Sequence, residues 1–182
     1  MYKVVCIITA ILIMVTSLAG CQATQDGHSE ADMIKGSYTI EKIQEATEPN
    51  YKCGELIYIP IYSSIFRHLS AKTYDLTATL SVHNTDLTNS IKLTKVDYYN
   101  TGGELIRTYL KDRLVLKPLQ TVHFIIWGGD NSGGTGANFI VEWVSEFDVS
   151  SPIVEAVTIS TSGLQGVSFI TAGKVIKKLD TH

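Results

Sequence analysis

The feature that most constrains the fold of this chain is a two-residue alternation of apolar and polar side chains. Its clearest example is YDLTATLSVHN, whose apolar positions are Leu76, Ala78, Leu80 and Val82 and whose polar positions are Thr77, Thr79, Ser81 and His83. Successive side chains of a β-strand point to opposite faces of a sheet. The segment is therefore predicted to be a strand with one buried face.

Seven other segments have strand character: LIYIPIYSSI, IKLTKVDYYN, ELIRTYL, VHFIIW, ANFIVEWV, VEAVTIS and GVSFITAGKV. Asn100–Gly103 has the residue types of a hairpin turn, and Pro60 favours an edge strand or a bulge. No segment has the periodicity of a long amphipathic helix. We predict an all-β fold, an antiparallel immunoglobulin-like β-sandwich of about eight strands, with Phe139, Val141 and Trp143 in its core.

The overall composition excludes several classes of protein. The chain is 45% hydrophobic and 18% charged, which is typical of a packed domain rather than a disordered protein. Its formal net charge is -3, so there is no global basic field for nucleic acid, and no nucleic-acid partner is predicted.

The N-terminal residues predict export and lipidation. Lys3 precedes the uncharged run Val4–Ala19, which has the composition of a signal-peptide hydrophobic region. The run leads into Leu18-Ala19-Gly20-Cys21, which resembles the lipobox of bacterial lipoproteins. By this resemblance, cleavage falls between Gly20 and Cys21, and the Cys21 thiol receives diacylglycerol. The alternative interpretation of the run is an uncleaved transmembrane anchor.

The predicted location follows from this acylation. Two or more acyl chains hold a protein stably on a bilayer, so we expect an extracytoplasmic protein attached to the membrane through lipidated Cys21. The residue after Cys21 is Gln22 rather than an aspartate, which implies export to the outer membrane in an organism that has one. Removal of Cys6 and acylation of Cys21 leave Cys53 as the free thiol, which is predicted to be partly buried and outside any intramolecular disulfide.

The mature chain is predicted to have two parts. Residues 21–52 contain six acidic and three basic side chains and few large apolar ones, which favours a lipidated flexible tether after the signal peptide 1–20. Within the tether, Ile40, Ile43 and Ala46 could form one side of a short helix ended by Pro49, the alternative being disorder. Residues 53–182 are predicted to form the β-sandwich domain.

Two resemblances extend this interpretation. The segment VHNTDLTNSIKLTKVDYYNTGGELI is similar to the middle of small immunoglobulin-like envelope domains. More closely, the chain resembles a bacterial lipoprotein family classed only as a domain of unknown function. The matching segments are GELIYIPIYSSI, YDLTATLSVHNTD, VDYYNTGG, SGGTGANFIVEWV and IVEAVTISTSGLQGVSF. The resemblance implies an extracytoplasmic β-rich domain and supplies no activity.

The glycine-rich segment 128–138 is the strongest local candidate for a binding site. Five glycines allow a backbone to approach a ligand closely, and the candidate contact residues are Trp127, Asp130, Asn131, Thr135 and Asn138. The Gly-Lys-Ser/Thr ending of a phosphate-binding P-loop is missing. A calcium loop needs several carboxylates, and Asp130 is the one here. The alternative is a long mobile hairpin loop without a ligand.

The remaining residues indicate neither a metal site nor a cofactor. His68, His83 and His123 are isolated in sequence, although His83 and His123 could approach each other across strands. There is no G-x-S-x-G motif, so no catalytic residue is assigned and the chain is predicted not to be an enzyme. A carboxylate pair drawn from Asp75, Asp130 and Glu142 stays open as an alternative.

Three functions are compatible with these patterns. The first is a non-enzymatic envelope module that contacts a protein partner during assembly or adhesion. The second is binding of a small ligand or glycan at the glycine-rich loop. The third is a hydrolase whose site would use Asp130, Glu142 and His123. A β-sandwich carries many functions, so the fold does not decide among them.

Overall fold

The computed structural model describes residues 33–36, 38–42, 50–67, 72–161 and 166–179. These residues form two packed antiparallel sheets, which confirms the predicted all-β sandwich. The strands are β1 (Ile34–Gly36), β2 (Thr39–Glu41), β3 (Cys53–Ile61), β4 (Ser64–Arg67), β5 (Lys72–Asp75), β6 (Thr77–His83), β7 (Ile91–Tyr99), β8 (Leu105–Thr108), β9 (Arg113–Leu116), β10 (Thr121–Ile126), β11 (Ala137–Ser145), β12 (Ile153–Ser160), β13 (Val167–Ala172) and β14 (Lys174–Lys178).

The strands divide between two main sheets and one small hairpin. The five-stranded sheet has the order β1-β10-β6-β12-β13. The seven-stranded sheet has the order β14-β3-β11-β7-β9-β2, and β8 pairs with β7. Strands β4 and β5 form a separate pair. One turn of 3₁₀ helix, Gly134–Gly136, precedes β11.

The alternating side chains of both sheets meet in one core. Every member of the predicted apolar side of β6 and its flank is fully buried, namely Leu76, Ala78, Leu80 and Val82. From the opposite sheet, Phe139 and Val141 are also fully buried and Trp143 is nearly so, as predicted. The Trp143 indole N–H donates to the Glu55 carboxylate at 3.2 Å, so its polar atom is satisfied inside the core.

Two details of the strands depend on proline and glycine. The Pro60 carbonyl accepts a hydrogen bond from the Thr171 hydroxyl, beyond the part of β3 that pairs with β14. Pro60 lacks a backbone N–H, so it suits a position where β3 does not pair with β14. At Gly173 the chain crosses from β13 to β14. A Cβ there would lie 2.7 Å from Ile57 and 2.9 Å from the Val154 carbonyl, so the crossing requires glycine.

The sheets extend into the segment 21–52 that was predicted as a flexible tether. Strand β1 pairs with β10 and β2 pairs with β9, and Tyr38 between them packs against the core. The predicted short helix is wrong at Thr39–Glu41, because pairing with the free edge of β9 outweighs a weak helical pattern. The rest of that helix, the signal peptide 1–20, and Gly20 and Cys21 lie outside the described residues. Within the described residues no helix is long and apolar enough to cross a membrane.

Three crossover loops lie together at one end of the sandwich, which we call the Asn84 end. Residues 84–90 connect β6 to β7, 117–120 connect β9 to β10, and 146–152 connect β11 to β12. The buried Asn84 amide donates to the carbonyls of Asn89, Leu116 and Lys117 at 2.9, 3.1 and 3.0 Å. One side chain thus joins two of these loops.

We expect Asn84→Ala to lower the free energy of unfolding by about 2–4 kcal/mol, because each of its lost hydrogen bonds contributes about 1 kcal/mol and the carbonyls stay partly buried. Urea unfolding followed by tryptophan fluorescence measures this loss. The control is Thr88→Ala in the same loop, whose exposed side chain bonds only locally. Equal midpoints for the two variants would contradict the assigned role of Asn84.

Candidate functional site

The glycine-rich segment lies at the other end of the sandwich, which we call the glycine-loop end. It connects β10 in the five-stranded sheet to β11 in the seven-stranded sheet. The prediction that it forms a hairpin is therefore wrong. Strand β10 already pairs with β1 and β6, and β11 already pairs with β3 and β7, so neither has an edge left for the other.

The loop is hydrogen-bonded to the turn between β7 and β8. The Thr101 backbone N–H and hydroxyl both donate to the Gly133 carbonyl at 2.9 Å, and the Gly136 N–H donates to the Thr101 hydroxyl at 2.9 Å. The Ser63 hydroxyl donates to the Gly134 carbonyl at 3.0 Å. A Cβ on Gly133 would lie 1.8 Å from the Tyr98 hydroxyl oxygen. Glycine at this position therefore serves close packing against Tyr98.

Asp130 belongs to a polar chain that connects the two sheets. Its carboxylate accepts a hydrogen bond from the Arg107 guanidinium at 3.0 Å and from the Ser132 hydroxyl at 2.5 Å. Arg107 also donates to the Tyr109 hydroxyl at 3.2 Å, and Tyr109 donates to the Ile125 carbonyl at 3.3 Å. Through these hydrogen bonds, the Asp130 carboxylate stabilises the position of the loop.

The hydrogen bonds to Asp130 favour the ionised form of its carboxyl group. Burial raises the pKa of Asp130, but the hydrogen bonds from Ser132 and Arg107 outweigh burial and hold that pKa below its ordinary value. Burial raises the pKa of Tyr109, and it raises the pKa of Tyr98 to about 12. The two phenols are therefore protonated at neutral pH, while Asp130 is ionised.

The other predicted contact residues do not converge with Asp130 on one cavity. Trp127 is half-buried at the end of β10, and Asn131 and Thr135 lie within the loop. Asn138 lies in β11 between Pro60 and Tyr99, on the face opposite the core. Loop position alone did not reveal which of these side chains the fold would use internally.

A shallow groove of about 370 Å³ adjoins the start of the loop. It is lined by Asp75, Thr77, Gly128, Gly129, Ile159, Ser160 and Thr161. The Gly128 N–H donates to the Thr77 hydroxyl at 3.0 Å, which fixes one wall of the groove. Carboxylate and hydroxyl groups of this kind can hydrogen-bond a small polar ligand.

The outer face of the five-stranded sheet carries exposed isoleucines. The side chains of Ile153, Ile159 and Ile170 are 54%, 45% and 63% exposed. Ile170 lies opposite Val157 across the β12–β13 pair, and Ile159 follows two residues later on the same face. We call Ile153, Val157, Ile159 and Ile170 the isoleucine face. A solvent-facing antiparallel sheet is usually polar on this side, so the isoleucine face is unusual.

Two histidines share that sheet surface. His123 Nδ1 lies 2.9 Å from the Ser81 hydroxyl, His83 Nδ1 lies 2.9 Å from the Thr121 hydroxyl, and His83 Nε2 lies 3.8 Å from Glu155. Burial and the neighbouring His83 lower the pKa of His123. His83 and His123 thus lie on neighbouring strands, diagonal to each other across the β6–β10 pair.

The described residues place no group of three or more His, Cys, Asp and Glu side chains where they could hold a metal ion. Glu142, one of the open catalytic candidates, accepts a hydrogen bond from the Thr94 hydroxyl at 2.6 Å within the seven-stranded sheet. Asp75 borders the groove and Asp130 is bonded to Arg107. Cys53 is half-buried, as predicted, and its thiol donates to the Phe147 carbonyl at 3.2 Å.

Sequence reasoning missed the isoleucine face, although VEAVTIS contains a signal for it. In that strand Val154 and Ala156 face the core while Val157 and Ile159 face outward, so both faces are apolar. An antiparallel strand covered on one side needs only one apolar face. The second apolar face was the available sign of an exposed surface.

We expect Asp130→Asn to lose less stability on acidification than the wild type does, so that the acid limb of its curve of thermal midpoint against pH is flatter. The Asp130 pKa is depressed in the folded state, so its contribution is present above the unfolded value of about 3.9 and is lost as pH falls through the lower folded value. Thermal midpoints of the variant should lie below wild type at neutral pH, with the gap closing on acidification. Asp148→Asn, an exposed carboxylate at the Asn84 end, is the control and should follow the wild-type acid limb. Superimposable curves for Asp130→Asn and wild type would contradict this assignment.

Comparison with known proteins gives a family and a weak match to a solved structure. No curated protein matches the chain. A solved structure titled "Crystal Structure of Thermotoga maritima 1070" is similar with a TM-score of 0.40 and 9% identity, covering 69% of this chain and 96% of that one. The family model described as "Protein of unknown function (DUF3124)" matches residues 54–176. The match spans more than half of the sequence and nearly the whole of the β-sandwich, so the chain belongs to the DUF3124 family.

Proposed function

We propose that this chain is a lipid-anchored protein of the bacterial cell envelope whose domain binds a protein partner and catalyses no reaction. The proposed anchor is Cys21, supported by the hydrophobic run and the Leu18-Ala19-Gly20-Cys21 sequence that resembles a lipobox. The observation that carries the proposed binding role is the isoleucine face.

The isoleucine face has the properties of a protein-binding surface. Val157 and Ile159 of β12 and Ile170 of β13 are neighbours on one side of the sheet, and Ile153 lies further along the same face of β12. Contiguous exposed apolar surface favours association, because each large aliphatic side chain gains about 1.5–3 kcal/mol when it is fully removed from water. His83 and His123 on the adjoining strands β6 and β10, and Glu155 between Ile153 and Val157 on β12, supply hydrogen-bonding groups around the apolar side chains, as in the polar rim of an interface.

Crosslinking in intact cells tests the binding role. The tagged mature protein is crosslinked, recovered by affinity and examined by mass spectrometry. We expect a reproducible stoichiometric partner with the wild type, and a loss of at least tenfold in its recovery with the double variant Ile159→Thr/Ile170→Thr, because threonine keeps strand propensity but removes apolar surface.

The matched control is Ile176→Thr, since Ile176 is 52% exposed but lies on β14 in the other sheet. It should recover the partner at the wild-type level. Recovery of no partner by the wild type, or equal recovery by the double variant, would overturn the proposed role. The same mass spectra test the anchor independently, because an acylated N-terminal peptide should begin at Cys21 and disappear in Cys21→Ser.

A second candidate function is binding of a small polar ligand or glycan, and the groove at Gly128 and Gly129 favours it. Its carboxylate, Asp75, lies beside the hydroxyls of Thr77 and Thr161. Buried hydrogen bonds from such groups give ligands their orientation and specificity.

Titration of a panel of soluble oligosaccharides into the purified protein tests this candidate. We expect Asp75→Asn to weaken any binding by about tenfold or more, the usual cost of losing a hydrogen bond to a charged group. Asp148→Asn at the opposite end is the control. Affinity that is unchanged in Asp75→Asn would place the ligand elsewhere.

A further inference from the structure

The three crossover loops of the Asn84 end each carry one exposed large apolar side chain. Leu87 is 77% exposed, Leu119 is 67% exposed and Phe147 is 55% exposed. Each is the exposed large apolar side chain of its loop, and together we call them the loop-tip residues. A single exposed leucine is ordinary, but three on adjoining loops at one end of a sandwich form a pattern.

Hydrogen bonds hold the three loops next to one another. Asn84 joins the first loop to the second through the Lys117 carbonyl, as described above. The Thr85 hydroxyl donates to the Ser151 carbonyl at 3.0 Å, which joins the first loop to the third. The Ser145 hydroxyl donates to the Ser90 carbonyl at 3.2 Å. The loop-tip residues therefore project from a connected base.

Leu119 is also conformationally unfavourable. It has a φ of 60°, and among the described residues it is the one non-glycine residue with positive φ. The Gln120 N–H donates to the Lys117 carbonyl at 3.1 Å, which closes a turn with Pro118 and Leu119 at its centre. Glycine or asparagine suits that position of the turn better than leucine does. An exposed apolar side chain on a strained backbone indicates a role outside the folded monomer.

Two acidic side chains near the loop-tip residues have hydrogen-bond partners within the protein. The Asp86 carboxylate accepts backbone N–H groups of Thr88 and Asn89 at 2.8 and 2.7 Å. Glu146 accepts from the Lys92 ammonium at 2.9 Å. Apolar tips with internally paired neighbours are suited to an uncharged apolar medium.

The length of the N-terminal segment brings a bilayer within reach. Eleven residues, 22–32, separate Cys21 from the described fold, and at full extension they span about 36–40 Å. The longest strands have nine residues, or about 30 Å. The Met33 carbonyl accepts a hydrogen bond from the Ile125 N–H near the glycine-loop end, which is opposite to the Asn84 end. Residues 22–32 must therefore be long enough to span the sandwich if the Asn84 end is to face the bilayer. This step rests on the proposed anchor at Cys21.

We propose that the Asn84 end docks on a phospholipid bilayer, with Leu87, Leu119 and Phe147 inserted at the boundary between headgroups and acyl chains. Hydroxyl and amide side chains of the same loops, including Thr85, Thr88 and Asn89, then lie among the headgroups. Such insertion is shallow and depends on apolar area more than on anionic lipid. It orients the domain so that Ile159, near the glycine-loop end of β12, lies away from the membrane.

The test is co-sedimentation of the unlipidated chain Gln22–His182, which contains every described residue, with vesicles of phosphatidylcholine. We expect binding to these neutral vesicles, and a roughly tenfold fall in the partition coefficient for each of Leu87→Ser, Leu119→Asn and Phe147→Ser. Leu119→Asn should keep or raise the thermal midpoint, because asparagine tolerates a positive φ. Loss of binding in that variant is therefore separate from loss of folding.

The matched controls are Phe66→Ser and Leu105→Ser, whose side chains are 69% and 53% exposed at the glycine-loop end. They should bind vesicles like wild type. A Phe147→Trp variant should show fluorescence quenched by bromine atoms placed on the acyl chains.

Three results would overturn the proposal: no binding to phosphatidylcholine, binding that appears only with equal parts phosphatidylglycerol and ignores the loop-tip variants, or equal losses in loop-tip and control variants. Because the chain carries no acyl group, failure here is distinct from failure of the Cys21 anchor, which the mass spectra address. It is distinct also from failure of the isoleucine face, which the crosslinking addresses.

Discussion

The structure depends on a cluster of aromatic rings between its two sheets. The ring centroids of Tyr98 and Phe139, both in the seven-stranded sheet, lie 5.2 Å apart. The ring centroid of Tyr109 lies 5.6 Å from that of Phe139 and 5.5 Å from that of Phe124 in the five-stranded sheet. Tyr109 is also the residue whose hydroxyl joins Arg107 to the Ile125 carbonyl. One side chain thus couples core packing to the position of the glycine-rich loop, because its ring is apolar and its hydroxyl is not.

The two ends of the sandwich use their polar groups differently. At the glycine-loop end, hydrogen bonds from Thr101, Ser63 and Arg107 are directed at the loop, so its glycines and its acid serve the fold. At the Asn84 end, hydrogen bonds connect the bases of the loops and leave their apolar tips in solvent. The end that appeared most functional in the sequence is therefore the more self-contained of the two.

The sequence predicted what local periodicity encodes and missed what depends on long-range pairing. The alternation at Leu76–Val82 identified β6 and its buried face, and the core positions of Phe139 and Trp143 followed in the same way. Strands β1 and β2 are three residues each, too short for any pattern, and form because β10 and β9 offer free edges. The Arg107–Asp130 pair joins residues 23 positions apart, which composition alone does not reveal.

The crossing at Gly173 has a consequence for the order of folding. Strand β3 pairs with β11, where Cys53 meets Ser145, and with β14, where Glu55 meets Lys178 near the C-terminus. The β14 edge of the seven-stranded sheet therefore stays unpaired until β14 has been synthesised. High contact order of this kind slows folding.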